Sequence, residues 1–435
     1  MLTLILGFVS VKRVLLLLPT TTYRTADFLD AVSGLDVEVV VGSERTPALA
    51  GLMEGRALRV DFRRPDAAAL TIVGYARERP LDAIVPVDDE ATLVAATAAA
   101  ALGLPHNPVA AVAASKDKER TRQCLVAAGL RAPRFTTFRA DTDPQGAARA
   151  IASGSCGVAF PCVVKPVDLS GSRGVIRAND ERSLVTVFAR VAALVTSPEV
   201  CPPGDRPQRI LVEDFIAGSE VALEGLLRTG TLEVLAIFDK PDPLDGPYFE
   251  ETIYITPSRL PPATQDEIAR VAQAATRALG LTEGPIHAEL RLNAAGAWVL
   301  EVAARSIGGL CSRTLRFGAG ISLEELIVRH AAGLQIPTVE RERRAAGVMM
   351  LPIAQRGTLR AVRGQDEAKR VPGIEGLVIT VAPGSELVPL PEGDRYLGFM
   401  FARAETPEAV ERALREAHAT LETVVERPGA TPLAQ

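Results

Sequence analysis

Lysine is scarce in this chain of 435 residues: only six of its 48 basic residues are Lys, at 12, 116, 118, 165, 240 and 369. Arg is the default surface cation, so a Lys at a given place carries slightly more information, and four of the six fall between 116 and 240. Cysteine is thin as well. Cys124, Cys156, Cys162, Cys201 and Cys311 are odd in number and scattered, with no Cys-x-x-Cys pair. That argues against a disulfide frame or zinc site and for reduced thiols in a cytoplasmic protein. Positive charge is not in excess: 53 Asp and Glu outnumber the bases, giving a net charge of −5 without a long basic run. Nucleic-acid binding by bulk charge is therefore not expected. No run of about 18 uninterrupted apolar residues exists, so no membrane span is expected. The apolar opening over 1–18 is broken by Lys12 and Arg13 and lacks a small-residue cleavage site, which argues against a signal peptide. Residues 1–10 read as an extension ahead of a first strand.

What is present is a chain that is 47% hydrophobic and long enough for two to four domains at about 100–200 residues each. Short apolar strands at 14–18, 37–41 and 83–87 alternate with helical patterns at 23–32, 67–79 and 92–102, which predicts a doubly wound α/β unit ending near 110. Its first strand runs into Pro19-Thr20-Thr21-Thr22 instead of Gly-x-Gly-x-x-Gly, so a nicotinamide site there is not expected. The middle, 111–335, mixes a helix over 116–128 stopped by Gly129, strands at 160–165 and 210–215, a Pro-rich loop at 201–207 and an amphipathic helix at 267–280. The remainder, 336–435, is strand-rich, with strands at 347–353 and 377–381 and a closing helix at 407–425. The fold class is α/β and α+β multidomain, divided 1–110, 111–335 and 336–435.

Three segments carry chemistry. In GPIHAELRLNAAGAWVLEVAARSIGG (284–309), a hairpin through Ala294-Ala295-Gly296 sets Glu289 opposite Glu301 and Arg291 opposite Val299. Period-2 alternation then gathers His287, Glu289, Arg291, Glu301 and Arg305 on one face. Ala288, Leu290, Leu292, Trp298, Leu300, Val302 and Ala304 fall on the other. Opposed carboxylates repel, and a divalent cation would relieve the repulsion; so would water and Arg291 in a half-solvated hairpin. In FPCVVKPVDLSGSRGV (160–175), Lys165 ends an apolar strand before Ser170-Gly171-Ser172-Arg173-Gly174. Such a Lys can meet a phosphate, and such a loop can turn backbone N–H groups to it, though the segment is equally an ordinary flexible loop and not a Walker A motif. In ILVEDFIAGSEVALEG (210–225), a strand reaches Glu213-Asp214-Phe215-Ile216, turns at Gly218 and restarts at Glu220. The extended backbone can offer groups to an adenine edge and Glu220 can accept from ribose hydroxyls. A plain hairpin with solvated acids fits the same residues.

These segments in this order, preceded by ASKDKERTRQCLVAAGL (114–130), resemble the ATP-grasp superfamily, specifically the carboxylate–amine ligases that include bacterial L-amino acid ligases. The resemblance covers a pre-ATP-grasp α/β domain, a core of two subdomains and a strand-rich C-terminal part. It implies that Lys116, with Lys118 as competitor, and Lys165 meet the nucleotide phosphates beneath Ser170, Gly171, Ser172 and Gly174. It implies that Glu213, Phe215 and Ile216 form the adenine hinge, and that Glu220 meets the ribose. Glu289 and Glu301 would bridge Mg²⁺ or Mn²⁺, and Arg305 would contact the transferred phosphoryl or the acyl phosphate. Gly308 and Gly309 would turn beside the substrate. Many members carry Asn two residues after the second metal acid, where this chain has Ala303, which implies a site completed by water.

The implied reaction is ATP-dependent amide formation through an acyl phosphate, releasing ADP and phosphate. The partners implied are a small carboxylate and an amine, both amino acids, acted on by a monomer or a homodimer. The polar stretch 238–261 places Lys240, Tyr248, Glu250 and Glu251 at the substrate-facing loop, where Glu251 could bind an ammonium group; a rigid connecting loop is the alternative. His287 is either a substrate contact or a satisfied structural histidine, and His106, His330 and His418 lie outside the motifs. No Ser–His or Cys–His pair is evident. Biotin-carboxylase-like activation of bicarbonate is the rival within the superfamily. A non-catalytic nucleotide-binding protein would be marked by loss of Glu289, Glu301 or Lys165, and all three are present.

Overall fold

Residues 11–45, 53–201, 208–318 and 320–427 are described by a computed structural model. The expected extension at 1–10 and, beyond Cys201, the expected Pro-rich loop lie outside them. The first sheet is parallel, in the order Ala57–Arg59, Val37–Ser43, Lys12–Leu17, Ala83–Pro86. Within the strand Lys12–Leu17, residues 14–17 form an apolar run because they are buried on both faces. Leu15 and Leu17 pack with Ile72 and Ala95, while Val14 and Leu16 pack with Phe28. The short strand Ala57–Arg59 was not legible in the pattern. Helices Thr25–Ser33, Pro65–Glu78 and Asp89–Leu102 complete this unit, and Gly103 closes the last of them at φ 70°.

Next comes an antiparallel sheet, Phe135–Arg139, Arg209–Asp214, Cys162–Pro166, Ile176–Ala178, covered by helices Pro144–Ala152 and Glu181–Val195. The helix expected over 116–128 is two helices, Val109–Lys116 and Lys118–Ala127. Asp117 separates them with extended backbone (φ −108°, ψ 106°), and its carboxylate caps the second by accepting from Arg120 N–H. The Lys118 N–H turns out of the helical pattern to Val167 O, 3.0 Å away.

An eight-stranded antiparallel sheet forms the centre. Its order is Gly296–Ala303, Gly284–Asn293, Ser219–Arg228, Thr231–Asp239, Ile253–Thr256, Ala345–Leu351, Gly398–Ala404, Ile374–Ile379. Helix Pro262–Leu279 backs it, burying Ile268, Val271 and Ala275 against Leu223, Leu290 and Val299. The stretch at 238–261 is not all loop, because Ile253–Thr256 is a buried strand of this sheet. Nor does the closing helix reach 425. It ends at Ala419, and the β-branched run Thr423-Val424-Val425 belongs to the strand Glu422–Glu426, paired with Gly357–Arg363. Cys124, Cys156, Cys162 and Cys311 are free thiols. No helix among the described residues is long and apolar enough to cross a membrane.

Candidate functional site

The floor of the site is the end of the central sheet. Asn293 pairs with Gly296 across a two-residue turn, and Gly296 (φ 109°) supplies the positive φ expected of it. Glu289 stands opposite Glu301 as expected, but Arg291 faces Trp298, not Val299. A bulge between Glu289 and Leu290 in the register accounts for this, because one extra residue on the second strand resets its side-chain phase. Ala297 and Val299 therefore enter the core, while Leu300 joins Glu301 on the cleft. On the neighbouring strand, Glu220 lies opposite Arg291 and Glu224 opposite His287.

Three carboxylates converge here. Oxygens of Glu220, Glu251 and Glu289 lie within 4.8 Å of one another, and the Lys240 ammonium sits among them at 2.8, 2.5 and 3.0 Å. The Tyr254 hydroxyl donates to Glu251 at 2.7 Å, and Arg291 Nε donates to Glu220 at 3.0 Å. Burial opposes the charge on Lys240, but the three acids push its pKa well above the usual range. Burial pushes Glu251 up to about 7 against the pull of Lys240. Glu289 is held well below the usual range because Lys240 and His287 outweigh its burial. Glu301 stands apart, its nearest cation being Lys118 at 3.8 Å. The two acids expected to bridge a metal thus face one cleft but lean towards different ammonium groups. An all-carboxylate oxygen set that already draws in cations fits Mg²⁺ or Mn²⁺.

At the opposite end, Lys165 reaches Glu213 at 2.5 Å, and Arg122 donates to the same carboxylate at 2.8 Å. Burial lowers the Lys165 pKa against Glu213, while Arg122 and Lys165 overcome burial to lower that of Glu213. The Glu213 carboxylate is thus committed to holding Lys165. In the hinge, Phe215 N–H donates to Pro161 O and Ile216 O accepts from Arg291. The Phe215 ring lies 6.3 Å from that of Phe249 along an apolar wall with Val163 and Leu244. Ser170, Gly171 and Ser172 line the cleft, with Gly171 and Ser172 at positive φ. Gly174 does not line it. Its N–H donates to Pro391 O at 2.8 Å, and a Cβ there would stand 2.8 Å from Pro166 Cγ. Arg173 donates to Glu392 O, and Arg190 grips the Glu392 carboxylate at 2.6 and 2.9 Å while reaching the Tyr248 hydroxyl. Because of the break at Asp117, Lys118 lines the cleft and donates to Leu169 O. Lys116 points instead to Asp89, donating to its carbonyl and carboxylate.

One cleft of about 600 Å³ joins these groups to Arg305, Gly308 and Gly309. Arg305 is 3.7 Å from Asp89, and although burial opposes it, Asp89 and Glu301 raise its pKa. Gly309 (φ 61°) is closed to any side chain, since a Cβ would meet the Phe399 ring at 2.8 Å, whereas Gly308 faces open space. The far end is lined by Tyr23, Met350, Cys311 and Tyr396. Sequence reasoning missed Asp88, Asp89 and Glu90, which also line the cleft. Their signal was readable: three acids directly after a parallel strand, at the carboxyl edge where open α/β sheets bind ligands. It also missed Arg122, Tyr254 and Glu224, which no local pattern singles out.

His287 is not open to the cleft on both sides. Its Nδ1 lies 2.5 Å from Glu224 Oε1 and its Nε2 3.5 Å from Glu289 Oε1. Burial alone would lower its pKa, but the charge and hydrogen bond of Glu224, with Glu289, push it up to about 9. Its ring nitrogens face two carboxylates.

Three family models match the chain: an ATP-grasp N-terminal domain over 30–106, an ATP-grasp domain over 158–314, and an L-amino acid ligase C-terminal domain 2 over 349–426. Its structure is similar to that of L-amino acid ligase from Bacillus licheniformis, with a TM-score of 0.76 and 26% identity, covering 96% of this chain and 99% of that one. D-alanine–D-alanine ligase of Cupriavidus necator is 27% identical over 244 residues, which is 53% of this chain and 68% of that protein. Alanine–anticapsin ligase of Bacillus subtilis is 26% identical over 288 residues, 62% of this chain and 58% of that protein.

Proposed function

Because this chain belongs to the ATP-grasp superfamily, as an L-amino acid ligase-like member of its carboxylate–amine ligases, we propose that it joins the carboxylate of one amino acid to the amine of another at the expense of ATP. The supporting observation is the single cleft. Lys118, Lys165, the Ser170-Gly171-Ser172 stretch, Glu289, Glu301, Arg305 and Gly308-Gly309 all line it, with Lys118 3.8 Å from Glu301. Residues 1–110, 111–335 and 336–435 are taken as the three parts that enclose it.

The apolar wall of Phe215, Phe249, Val163 and Leu244 suits a purine, and Glu220 is set to meet the ribose. Lys165 and Lys118 neutralise the nucleotide phosphates, Lys165 being kept in place by Glu213. Glu289 and Glu301 would hold Mg²⁺ or Mn²⁺, which when bound supplies charge neutralisation at the transferring phosphoryl. A substrate carboxylate oxygen attacks the γ-phosphorus, the bond to the ADP oxygen breaks, and Arg305 stabilises the charge on the phosphoryl as it moves. The incoming amine then attacks the acyl carbon, phosphate leaves, and the amine proton passes to solvent. Loop 170–174 shields the acyl phosphate from water. Glu251 faces the substrate end, where the ammonium of an amino acid would compete with Lys240 for it.

The test is ADP release from ATP and Mg²⁺ over a matrix of amino-acid pairs, with mass spectrometry of products. Release that needs both a carboxylate and an amine and accumulates a dipeptide is expected. Release stimulated by bicarbonate and by no amino acid would replace this reading with bicarbonate activation.

A further inference from the structure

Glu224 is fully buried, and both of its oxygens are engaged. Oε1 meets His287 Nδ1 at 2.5 Å, and Oε2 accepts from the Ile307 N–H at 3.1 Å. A carboxylate taken out of water is tolerated only when its oxygens are matched, and this one is matched to groups on two different parts of the site. His287 carries the connection onward, since its second nitrogen is 3.5 Å from Glu289 Oε1. Glu224, His287 and Ala303 stand in one row across three adjacent strands. The turn carrying Ile307 is pinned from its other side as well. Arg24, wholly buried, donates to Ser306 Oγ at 2.9 Å and to Glu324 at 2.8 Å.

We propose that Glu224 and His287 are positioning residues that tie the Glu289 carboxylate to the 305–309 turn, so that the metal-facing acid and the Arg305 end of the cleft keep one fixed spacing. This deepens the ligase reading and rests on it for its consequence in turnover. The Glu289–His287–Glu224–Ile307 contacts do not depend on that reading. Glu224 does not itself line the cleft, whereas Glu289, His287 and Ile307 do. It acts by fixing groups that do, in the way outer partners orient metal ligands.

The test compares the full-length wild type with Glu224→Gln and His287→Gln by three measurements. These are Mn²⁺ binding by electron paramagnetic resonance, kcat and KM for ATP, and phosphate released per amide formed. Glu224→Gln keeps the shape but only one acceptor oxygen, so it replaces a carboxylate that can accept from both sides by an amide that accepts on one side only. Both variants are expected to bind Mn²⁺ about 10–100-fold more weakly. In Glu224→Gln, kcat should fall by a similar factor while KM for ATP moves less than about threefold, and phosphate per amide should rise above that of the wild type. A residue that only stabilises the fold would lower the melting temperature and leave the Mn²⁺ affinity and the phosphate ratio alone; that result overturns the proposal. Should Glu224→Gln fail to fold, His287→Gln decides, because it spares the Ile307 contact with Glu224 while cutting the imidazole that joins Glu224 to Glu289. Unchanged Mn²⁺ affinity in that variant overturns the proposal too. If the wild type makes no amide from any pair, the ligase reading fails, while the Mn²⁺ comparison still judges the positioning role.

Discussion

The two ends of the cleft are held by different kinds of contact. Around Lys240, three carboxylates, from two separate strands and the 250–252 segment, meet in a largely buried cluster, with Lys240 itself 7% exposed. Around loop 170–174, the charged closing contact is at the surface, Arg190 with Glu392, while Arg173 meets the Glu392 carbonyl part-buried and Gly174 N–H meets Pro391 O in the interior. Buried charges that satisfy one another are costly to separate, whereas exposed pairs are worth little and part readily. The sheet end therefore keeps its geometry before substrate arrives. The loop end is expected to be the easier of the two to open.

The largest expected effect lies at the sheet end. Glu301→Gln should cut ATP turnover by roughly a thousandfold or more, because charge neutralisation of the phosphoryl contributes several kcal/mol. The circular dichroism spectrum should stay that of the wild type. Lys240→Ala tests the same end through stability. It leaves Glu220, Glu251 and Glu289 facing one another without their cation, so urea unfolding should show a loss of about 3–5 kcal/mol. A loss below about 1 kcal/mol would mean the cluster is as loosely held as a surface pair, and the contrast would break.

Smaller effects are expected towards the nucleotide. ATP with Mg²⁺ at 100 times its dissociation constant should stabilise the wild type by about 2.7 kcal/mol, read as a rise in melting temperature. Lys165→Ala should remove most of that rise, and Glu220→Ala part of it. The smallest change in stability should follow Glu392→Ala, within about 1 kcal/mol of wild type, since both partners of its pair with Arg190 are exposed. Its effect should appear in loop motion instead: faster cleavage by added protease within 170–174 and more phosphate released per amide. Equal protease sensitivity would show that Glu392 does not hold the loop.

The same contrast marks what the sequence discloses. The facing of Glu289 and Glu301 follows from period-2 alternation about a glycine turn, a local property, and it is present. The bulge that brings Leu300 into the cleft is invisible to alternation, because it depends on how the hairpin packs on helix Pro262–Leu279. Lys116 and Lys118 lie in one continuous helical pattern, and only the capping role of Asp117 separates the inward lysine from the outward one. An Asp followed three residues later by a charged, helix-forming run was a weak cue for that break. The partners of Lys240 come from positions 20, 11 and 49 residues away. Nothing local fixes such a meeting; it is a consequence of strand order in the central sheet. The parallel unit at the start was readable because buried strands and helices announce themselves by period. Its acids at 88–90 were in plain view at the strand's carboxyl edge but belonged to no motif.

The reaction itself is tested most directly by isotope transfer. With a carboxylate substrate labelled with ¹⁸O in both oxygens, a second amino acid, ATP and Mg²⁺, one labelled oxygen should appear in the released phosphate for each amide made, with none in ADP. Label carried into AMP, or amide formed with unlabelled phosphate, would contradict an acyl phosphate formed in this cleft.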